Sequence, residues 1–323
     1  MSMDIWSLAF DNLLSIPVLC FVLGFVATRV KSDLQFPDSV MKFLTFYLLL
    51  AIGIKGGVSL QQSEFTEVAW PVIATIFLGI VLPICAFAAL RFLTRLDRQD
   101  RGAIAAHYGS TSLVTFTAAL VFLETADIFV EGYVVTLLAV MEVPGIIVGL
   151  MLAGSHSRKP RELSASAREV LTSPSIVLLV GGVAIGCAAG ADRFASAEPF
   201  FADIFIGMLS LFLLQMGVTV AKRISSFASA GPGLVLFAVL FPLVAGSIGV
   251  FAGLAVGLGA GGACMLGVLC ASASYIAAPA AVRLALPRAN EGLAITCSLA
   301  ITFPINMVVG IPYMVFLART LGA

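Results

Sequence analysis

AAHYGSTSLVTFTAALVFLE, residues 105–124, combines an almost continuous apolar run with one glycine and three adjacent hydroxyl side chains. The polar group, Gly-Ser-Thr-Ser at 109–112, lies inside a segment long enough to cross a membrane. Glycine and serine are poor helix formers in an apolar setting. We therefore predict a helix that is interrupted at 109–112. Lipid cannot satisfy the freed backbone groups there, but a water-lined site between helices can.

The composition of the whole chain indicates a membrane protein. Of 323 residues, 60% are hydrophobic and 11% are charged, and the mean hydropathy is +1.08. A soluble domain of this length carries far more charge on its surface. The net charge is zero, which argues against a nucleic-acid partner. The six cysteines lie in apolar stretches without zinc-type spacing, so we predict small buried residues and no disulfides.

Ten segments are long and apolar enough to span a membrane, and none shows the alternation of a membrane strand. The predicted fold class is an all-α integral membrane protein with ten transmembrane helices. The predicted spans are residues 12–30, 36–54, 70–93, 102–123, 131–153, 172–190, 199–220, 232–257, 262–286 and 292–317.

The distribution of basic residues between the loops predicts the orientation. Cytoplasmic loops are enriched in lysine and arginine. The loops after the odd-numbered spans are the basic ones, so we expect both termini to be extracytoplasmic and the protein to lie in the cell inner membrane. The cytoplasmic side carries Arg29, Lys31, Arg91, Arg95, Arg98, Arg101, Arg158, Lys159, Arg161, Arg168, Lys222, Arg223, Arg283 and Arg288. The extracytoplasmic side carries Lys55, Arg193 and Arg319.

The two halves of the chain resemble each other. Landmark residues recur about 160 positions apart in the same order, which indicates a duplicated unit. Five spans per unit is an odd number, so the second unit enters the membrane inverted, an arrangement typical of secondary transporters. We predict an N-terminal repeat at 1–155, a cytoplasmic linker at 156–171 and an inverted C-terminal repeat at 172–323. The matched pairs include Pro83 and Pro242, Ser110 and Ser272, Ser112 and Ser274, and Pro144 and Pro304.

A pocket for a small oxyanion is predicted where the interrupted fourth and ninth spans cross. The second halves of these spans would present free N–H groups and positive dipole ends near the bilayer centre. Serine and threonine hydroxyls add donors without a fixed positive charge. A single run of this kind is often a helix-packing surface, but its recurrence in both repeats favours a site. The predicted substrate-binding residues are Gly109, Ser110, Thr111, Ser112, Ala271, Ser272, Ala273 and Ser274.

A sodium site is predicted beside this pocket. Glu142 lies midway along the fifth span, where a carboxylate is costly and is a functional candidate by default. Its repeat partner is Thr302, with Asn306 one turn further on, and we add Thr115 as a fourth contributor. The alternative is a protonated or hydrogen-bonded glutamate that stabilises the helix break. No cofactor is expected apart from Na⁺ as the coupling ion.

Two further motifs have simpler explanations. His107 and Ser110 suggest a hydrolase pair, but no acidic residue is placed to orient the histidine, so we do not expect an enzyme. The stretch GIKGG at 53–57 is typical of a helix C-terminus with Lys55 at the outer interface.

Three stretches resemble the sodium-dependent bicarbonate transporter family of the SbtA type: SDLQFPDSVMKFLTFYLLLAIGIKGGVSL (32–60), AAHYGSTSLVTFTAAL (105–120) and ASYIAAPAAVRLALPRAN (273–290). The resemblance spans nearly the whole chain. It implies Na⁺/HCO₃⁻ symport by an elevator-like movement. A transport domain of spans 3–5 and 8–10 would move against a gate or scaffold domain of spans 1, 2, 6 and 7. It also implies a homotrimer and a cytoplasmic regulator that resembles PII proteins.

Sodium-coupled bicarbonate import is therefore the leading hypothesis. The runner-up is a Na⁺-coupled transporter of another small anion, such as a carboxylate. A membrane receptor or channel-like protein without coupled transport stays open as a third class.

Overall fold

The computed structural model describes residues 10, 13–154, 168, 170–223 and 231–322. Every regular element in these ranges is helical, as the sequence predicts. The helices are α1 (Ile16–Arg29), α2 (Asp38–Gln62), α3 (Phe65–Leu93), α4 (Arg98–Gly109), α5 (Leu113–Thr125), α6 (Val134–Ala153), α7 (Pro174–Phe194), α8 (Pro199–Arg223), α9 (Pro232–Ala255), α10 (Ala260–Ala271), α11 (Ala277–Ala285) and α12 (Glu291–Leu321).

Eight candidate membrane spans lie within the described residues. They are α2, α3, the α4–α5 pair at Arg98–Thr125, α6, α7, α8, α9 and α12. The first and ninth predicted spans correspond to shorter apolar helices, α1 and α10, with α11 following α10. Most of the linker predicted at 156–171 falls outside the described residues.

Apolar side chains on the outer surface fit a lipid-facing protein. Trp70, Ile73 and Phe77 on α3 are each more than half exposed. A soluble monomer rarely exposes a contiguous apolar face of this kind. Cys85 lies on the same helix and is exposed, so the prediction that all six cysteines are buried is wrong. Hydropathy alone does not separate a lipid-facing cysteine from a buried one, because both environments are apolar.

Two helix pairs, α1 with α8 and α2 with α7, are held together by close backbone contact. A Cβ added at Gly24 would overlap the carbonyl oxygen of Leu214, and one at Gly217 would overlap that of Phe21. Gly57 meets the carbonyl of Val183 in the same way. Small residues at such positions let membrane helices approach closely, because no side chain separates the backbones.

These contacts also explain a wrong prediction at GIKGG. The helix does not end at residues 53–57, because α2 continues to Gln62. Gly53 and Gly57 face α7, where their missing side chains allow the two helices to touch. The glycines therefore serve packing between helices and do not terminate one.

The interrupted span α4–α5 lies at the centre of the molecule. Its polar residues His107, Ser110, Thr111, Ser112 and Thr115 are all buried. α4 packs on α3 and α6, and α5 contacts α8 and α10. A segment enclosed by protein in this way can keep a non-helical stretch that lipid would not tolerate.

Candidate functional site

The first helix interruption lies where the sequence predicts it. α4 ends at Gly109, and Ser110 and Ser112 have extended backbone angles. The Ser112 hydroxyl then caps α5 by accepting hydrogen bonds from Thr115 N at 3.3 Å and Thr115 Oγ1 at 3.0 Å. A serine in this position satisfies one of the orphan donors at a helix start, so the same residue type both permits the break and begins the next helix.

The second interruption is similar but longer, at residues 272–276 against 110–112. α10 ends at Ala271, and Ser272 is extended. Ser274 Oγ accepts a hydrogen bond from Ala278 N at 3.2 Å in the first turn of α11. Ser272 Oγ donates to Leu269 O at 2.9 Å, which satisfies one of the last carbonyls of α10.

The two interruptions contact each other directly. Ser112 N donates to Ser272 Oγ at 2.9 Å, and Ser274 N donates to His107 O at 2.8 Å. These bonds join residues more than 150 positions apart. Each break therefore satisfies part of the backbone that the other leaves unpaired, which is the condition for irregular structure inside a membrane protein.

A central cavity of about 20 Å³ lies beside the two breaks. This is roughly the space that one water molecule needs. Ser110 Oγ and Thr111 Oγ1 are buried and have no hydrogen-bond partner within the protein. A buried hydroxyl without a partner is costly, so these two atoms indicate a place for a polar ligand. The cavity lining is Leu49, Thr111, Ser112, Leu113, Leu138, Glu142, Ser175, Ser274, Tyr275 and Ile276.

Glu142 reaches the cavity because α6 approaches the first break very closely. A Cβ added at Gly145 would overlap the carbonyl oxygen of Gly109. Glu142 lies one turn earlier on α6 and is 6% exposed. None of the described basic residues forms an ion pair with it. A carboxylate in this environment is neutral or is matched by a bound cation.

The other predicted sodium residues do not share this cavity. Thr302 Oγ1 donates to Ala238 O at 2.7 Å and lies 2.6 Å from the hydroxyl of Tyr108. Asn306 Nδ2 donates to Ala271 O at 2.8 Å, while its Oδ1 has no partner. The hydroxyl of Thr115 is engaged by Ser112. Glu142 and Asn306 thus lie at separate places around the breaks.

The predicted substrate-binding residues divide into three groups. Thr111, Ser112 and Ser274 line the cavity, and Ser272 lies behind this lining, where its hydroxyl accepts from Ser112 N. Ser110 lies within the break with its hydroxyl unpartnered. The remaining three shape the site through backbone and packing, since Gly109 meets Pro83 and Gly145, Ala271 accepts from Asn306, and Ala273 lies in an apolar cluster.

Several cavity residues were not predicted from the sequence. Tyr275 directly follows Ser274, so its position beside the second break could have been noticed. Its ring lies edge-on to Phe303, with 5.9 Å between the ring centroids. Leu49 and Ser175 come from α2 and α7, and nothing in their local sequence distinguishes them from ordinary helix residues.

A larger vestibule of about 590 Å³ adjoins the central cavity and shares Leu49, Ser175 and Ile276 with it. The vestibule lies where α2 and α7 begin, and its wall includes Asp38, Lys42 and Thr172 at that end. A cavity of about 500 Å³ lies near the other end of α2, and none of its lining residues borders the central cavity.

Comparison with known families gives a match over nearly the whole chain. A family model described as the Na⁺-dependent bicarbonate transporter superfamily matches residues 17–319. The chain belongs to this superfamily. No curated protein matches the chain.

Membership of the Na⁺-dependent bicarbonate transporter superfamily agrees with the resemblance found in the sequence. It indicates a multi-pass membrane transporter and agrees with the expectation that the chain is not an enzyme. The match includes both interruptions, Glu142 and Asn306.

Proposed function

We propose that the protein imports bicarbonate together with sodium, and that both ions bind at the two contacting helix interruptions. The observation that carries this proposal is the placement of Glu142 on the same cavity as Thr111, Ser112 and Ser274. A carboxylate suits a cation, and hydroxyl groups at helix starts suit an anion. Superfamily membership supports the identity of the two ions.

The anion would bind through the hydroxyl of Thr111 on the cavity and that of Ser110 in the adjoining break, neither of which has a partner within the protein. The starts of α5 and α11 add positive dipole ends at the same place. Lysine and arginine are not among the residues that line the cavity. An anion held by dipoles and hydroxyls alone is bound weakly enough to be released.

The cation would bind beside Glu142 at the central cavity, and we propose Glu142 as its principal contributor. Asn306, whose Oδ1 has no partner, lies outside the cavity lining and would contribute after the lining moves. Sodium bound near Glu142 neutralises a buried carboxylate and lowers the electrostatic cost of bringing an anion into the same cavity. Each ion then raises the affinity for the other, which is the condition for coupled transport. Thr115 and Thr302 would contribute after their hydroxyls exchange their present partners.

The same proposal includes two inverted five-helix repeats. Helix packing supports it, because exchanging the repeats converts the α1–α8 pair into the α7–α2 pair, and both pairs are present. α1, α2, α7 and α8 would form the scaffold. α3–α6 and α9–α12 would carry the ions by an elevator-like movement.

The proposal also covers location and assembly. The basic loops favour an inner-membrane protein with extracytoplasmic termini. The homotrimer and the regulator similar to PII proteins derive from the family resemblance. Mass photometry of the detergent-solubilised protein tests the trimer. A pull-down of cytoplasmic proteins by the purified transporter, with adenine nucleotides present, tests the regulator.

Uptake into proteoliposomes tests the function. Labelled bicarbonate should accumulate when an inward sodium gradient is imposed and should not accumulate with potassium in its place. Stronger competition by a carboxylate than by unlabelled bicarbonate would identify another small anion as the substrate. Uptake that ignores the sodium gradient would indicate a channel-like protein and would contradict the proposal.

A further inference from the structure

The central cavity and the vestibule are joined through three shared residues, Leu49, Ser175 and Ile276. We call this set the neck. Leu49 and Ser175 belong to α2 and α7, and Ile276 lies in the second interruption just before α11. The neck is therefore formed between the proposed scaffold and the proposed moving part.

The three neck residues differ in how firmly packing holds them. Leu49 is 3% exposed and Ser175 is 9% exposed, whereas Ile276 is 37% exposed. Close packing fixes the first two side chains, because a buried side chain has few alternative rotamers without a clash. Ile276 has open space in the vestibule into which its side chain can turn.

The central cavity is small on this scale. Its free volume of about 20 Å³ is roughly what one water molecule needs, whereas bicarbonate has four heavy atoms. A shift of the lining would make room for the anion, and Ile276 is the exposed lining residue at the side that borders the vestibule.

We propose that the neck is the gate between the ion site and the vestibule, and that Ile276 is its movable residue. This inference rests on the proposed transport of a small anion. Leu49 and Ile276 form an apolar constriction. While this constriction is narrow, it opposes the passage of a hydrated ion. The Ser175 hydroxyl offers one polar contact to an anion that passes. The gate thus favours small anions over larger ones.

A bulky substitution at the neck tests the gate. In Ile276→Trp, we expect the maximal rate of sodium-driven bicarbonate uptake to fall roughly fivefold or more, because release becomes rate-limiting. Sodium-dependent binding of bicarbonate to the purified protein should persist. Ala280→Trp is the matched control, since Ala280 lies one turn later on α11, is exposed and lines the vestibule alone. A full rate in Ile276→Trp, or an equal loss in both variants, would overturn the gate.

A second experiment needs no transport substrate. A cysteine placed by Thr111→Cys lies on the central cavity, and its modification by a hydrophilic methanethiosulfonate reports access through the neck. Mass spectrometry of the peptide that contains residue 111 distinguishes its modification from labelling of the native cysteines. Adding Ile276→Ala should raise the labelling rate roughly tenfold, because the constriction widens. Adding Met41→Ala, which alters the vestibule wall alone, should leave the rate unchanged.

The two experiments fail in different ways. If the wild-type protein does not take up bicarbonate, the proposed function fails, and the labelling rates still decide whether the neck controls access. If uptake is sodium-driven but Ile276→Ala leaves labelling of residue 111 slow, the function stands and the gate is refuted.

Discussion

At the residue scale, the site is defined by polar groups whose partners lie outside their own helices or are missing from the protein. Ser112 caps α5 and Ser274 Oγ accepts a hydrogen bond from the first turn of α11, while Ser110 and Thr111 keep unpartnered hydroxyls. Capping serines contribute to stability, and unpartnered hydroxyls cost free energy unless a ligand uses them. Removing a hydroxyl of the first kind should therefore lower stability, whereas removing one of the second kind should weaken ligand binding.

Ser110→Ala should weaken bicarbonate binding by about tenfold, because one hydrogen bond to a charged ligand contributes roughly 1.5–3 kcal/mol and tenfold lies at the lower end of that range. The melting temperature in detergent should change little, since the hydroxyl makes no bond within the protein. Ser298→Ala is the control, because Ser298 is equally buried but bonds back to Ala294 O. Unchanged bicarbonate affinity in Ser110→Ala would remove this residue from the site.

Glu142→Gln should raise the sodium concentration for half-maximal uptake by roughly tenfold, which corresponds to about 1.4 kcal/mol of lost attraction between the carboxylate and the cation. The amide keeps the shape of the side chain but loses the charge that attracts the cation. Glu124→Gln is a matched control, because Glu124 forms an exposed 3.5 Å ion pair with Lys55 at the molecular surface. An equal sodium dependence in both variants would contradict the assignment of Glu142.

At the element scale, the interruptions are positioned by helices that touch without side chains between them. α6 carries Gly145 and Gly149 on the face toward α4, where they meet Gly109 and Ala106. This spacing of small residues permits the close approach that brings Glu142 to the cavity. Any added side chain on this face must separate α6 from the first break.

Gly145→Ala should therefore lower stability by about 1–3 kcal/mol, as overpacking of a close contact does, and should reduce uptake. The added methyl group meets backbone atoms, which cannot turn aside. Gly181→Ala is the control on α7, because a Cβ there meets no atom within 4 Å. That variant should be neutral or more stable by up to about 1 kcal/mol. Thermal unfolding in detergent measures both, and a neutral Gly145→Ala would show that α6 is free to move away.

At the scale of the whole molecule, the helical class and the position of both breaks were predictable, because apolar length and the clustering of Gly, Ser and Thr are local properties. The grouping of Glu142 with Thr302 and Asn306 was inferred from repeat alignment. Two residues at equivalent positions of the two repeats lie close together only if both are near the symmetry axis that relates the repeats. Equivalence in the alignment therefore does not predict that their side chains meet. Ser175 was missed for a related reason, since its proximity to Glu142 depends on how α7 packs and not on its own sequence.

The two ends of α2 give a prediction about the orientation of the whole chain. The vestibule adjoins the end of α2 at Asp38, and a separate cavity lined by Ser59 and Ser63 adjoins the other end of this helix. If the basic loops are cytoplasmic, the vestibule opens inward and the chain is in an inward-facing state. Ala280→Cys should then react with a membrane-impermeant thiol reagent in inside-out vesicles, and Ser63→Cys should react in right-side-out vesicles. Each labelled residue is identified by mass spectrometry, because Cys85 and other native cysteines are also present. The reverse pattern of labelling would invert the proposed topology, and the neck would then lead to the outside.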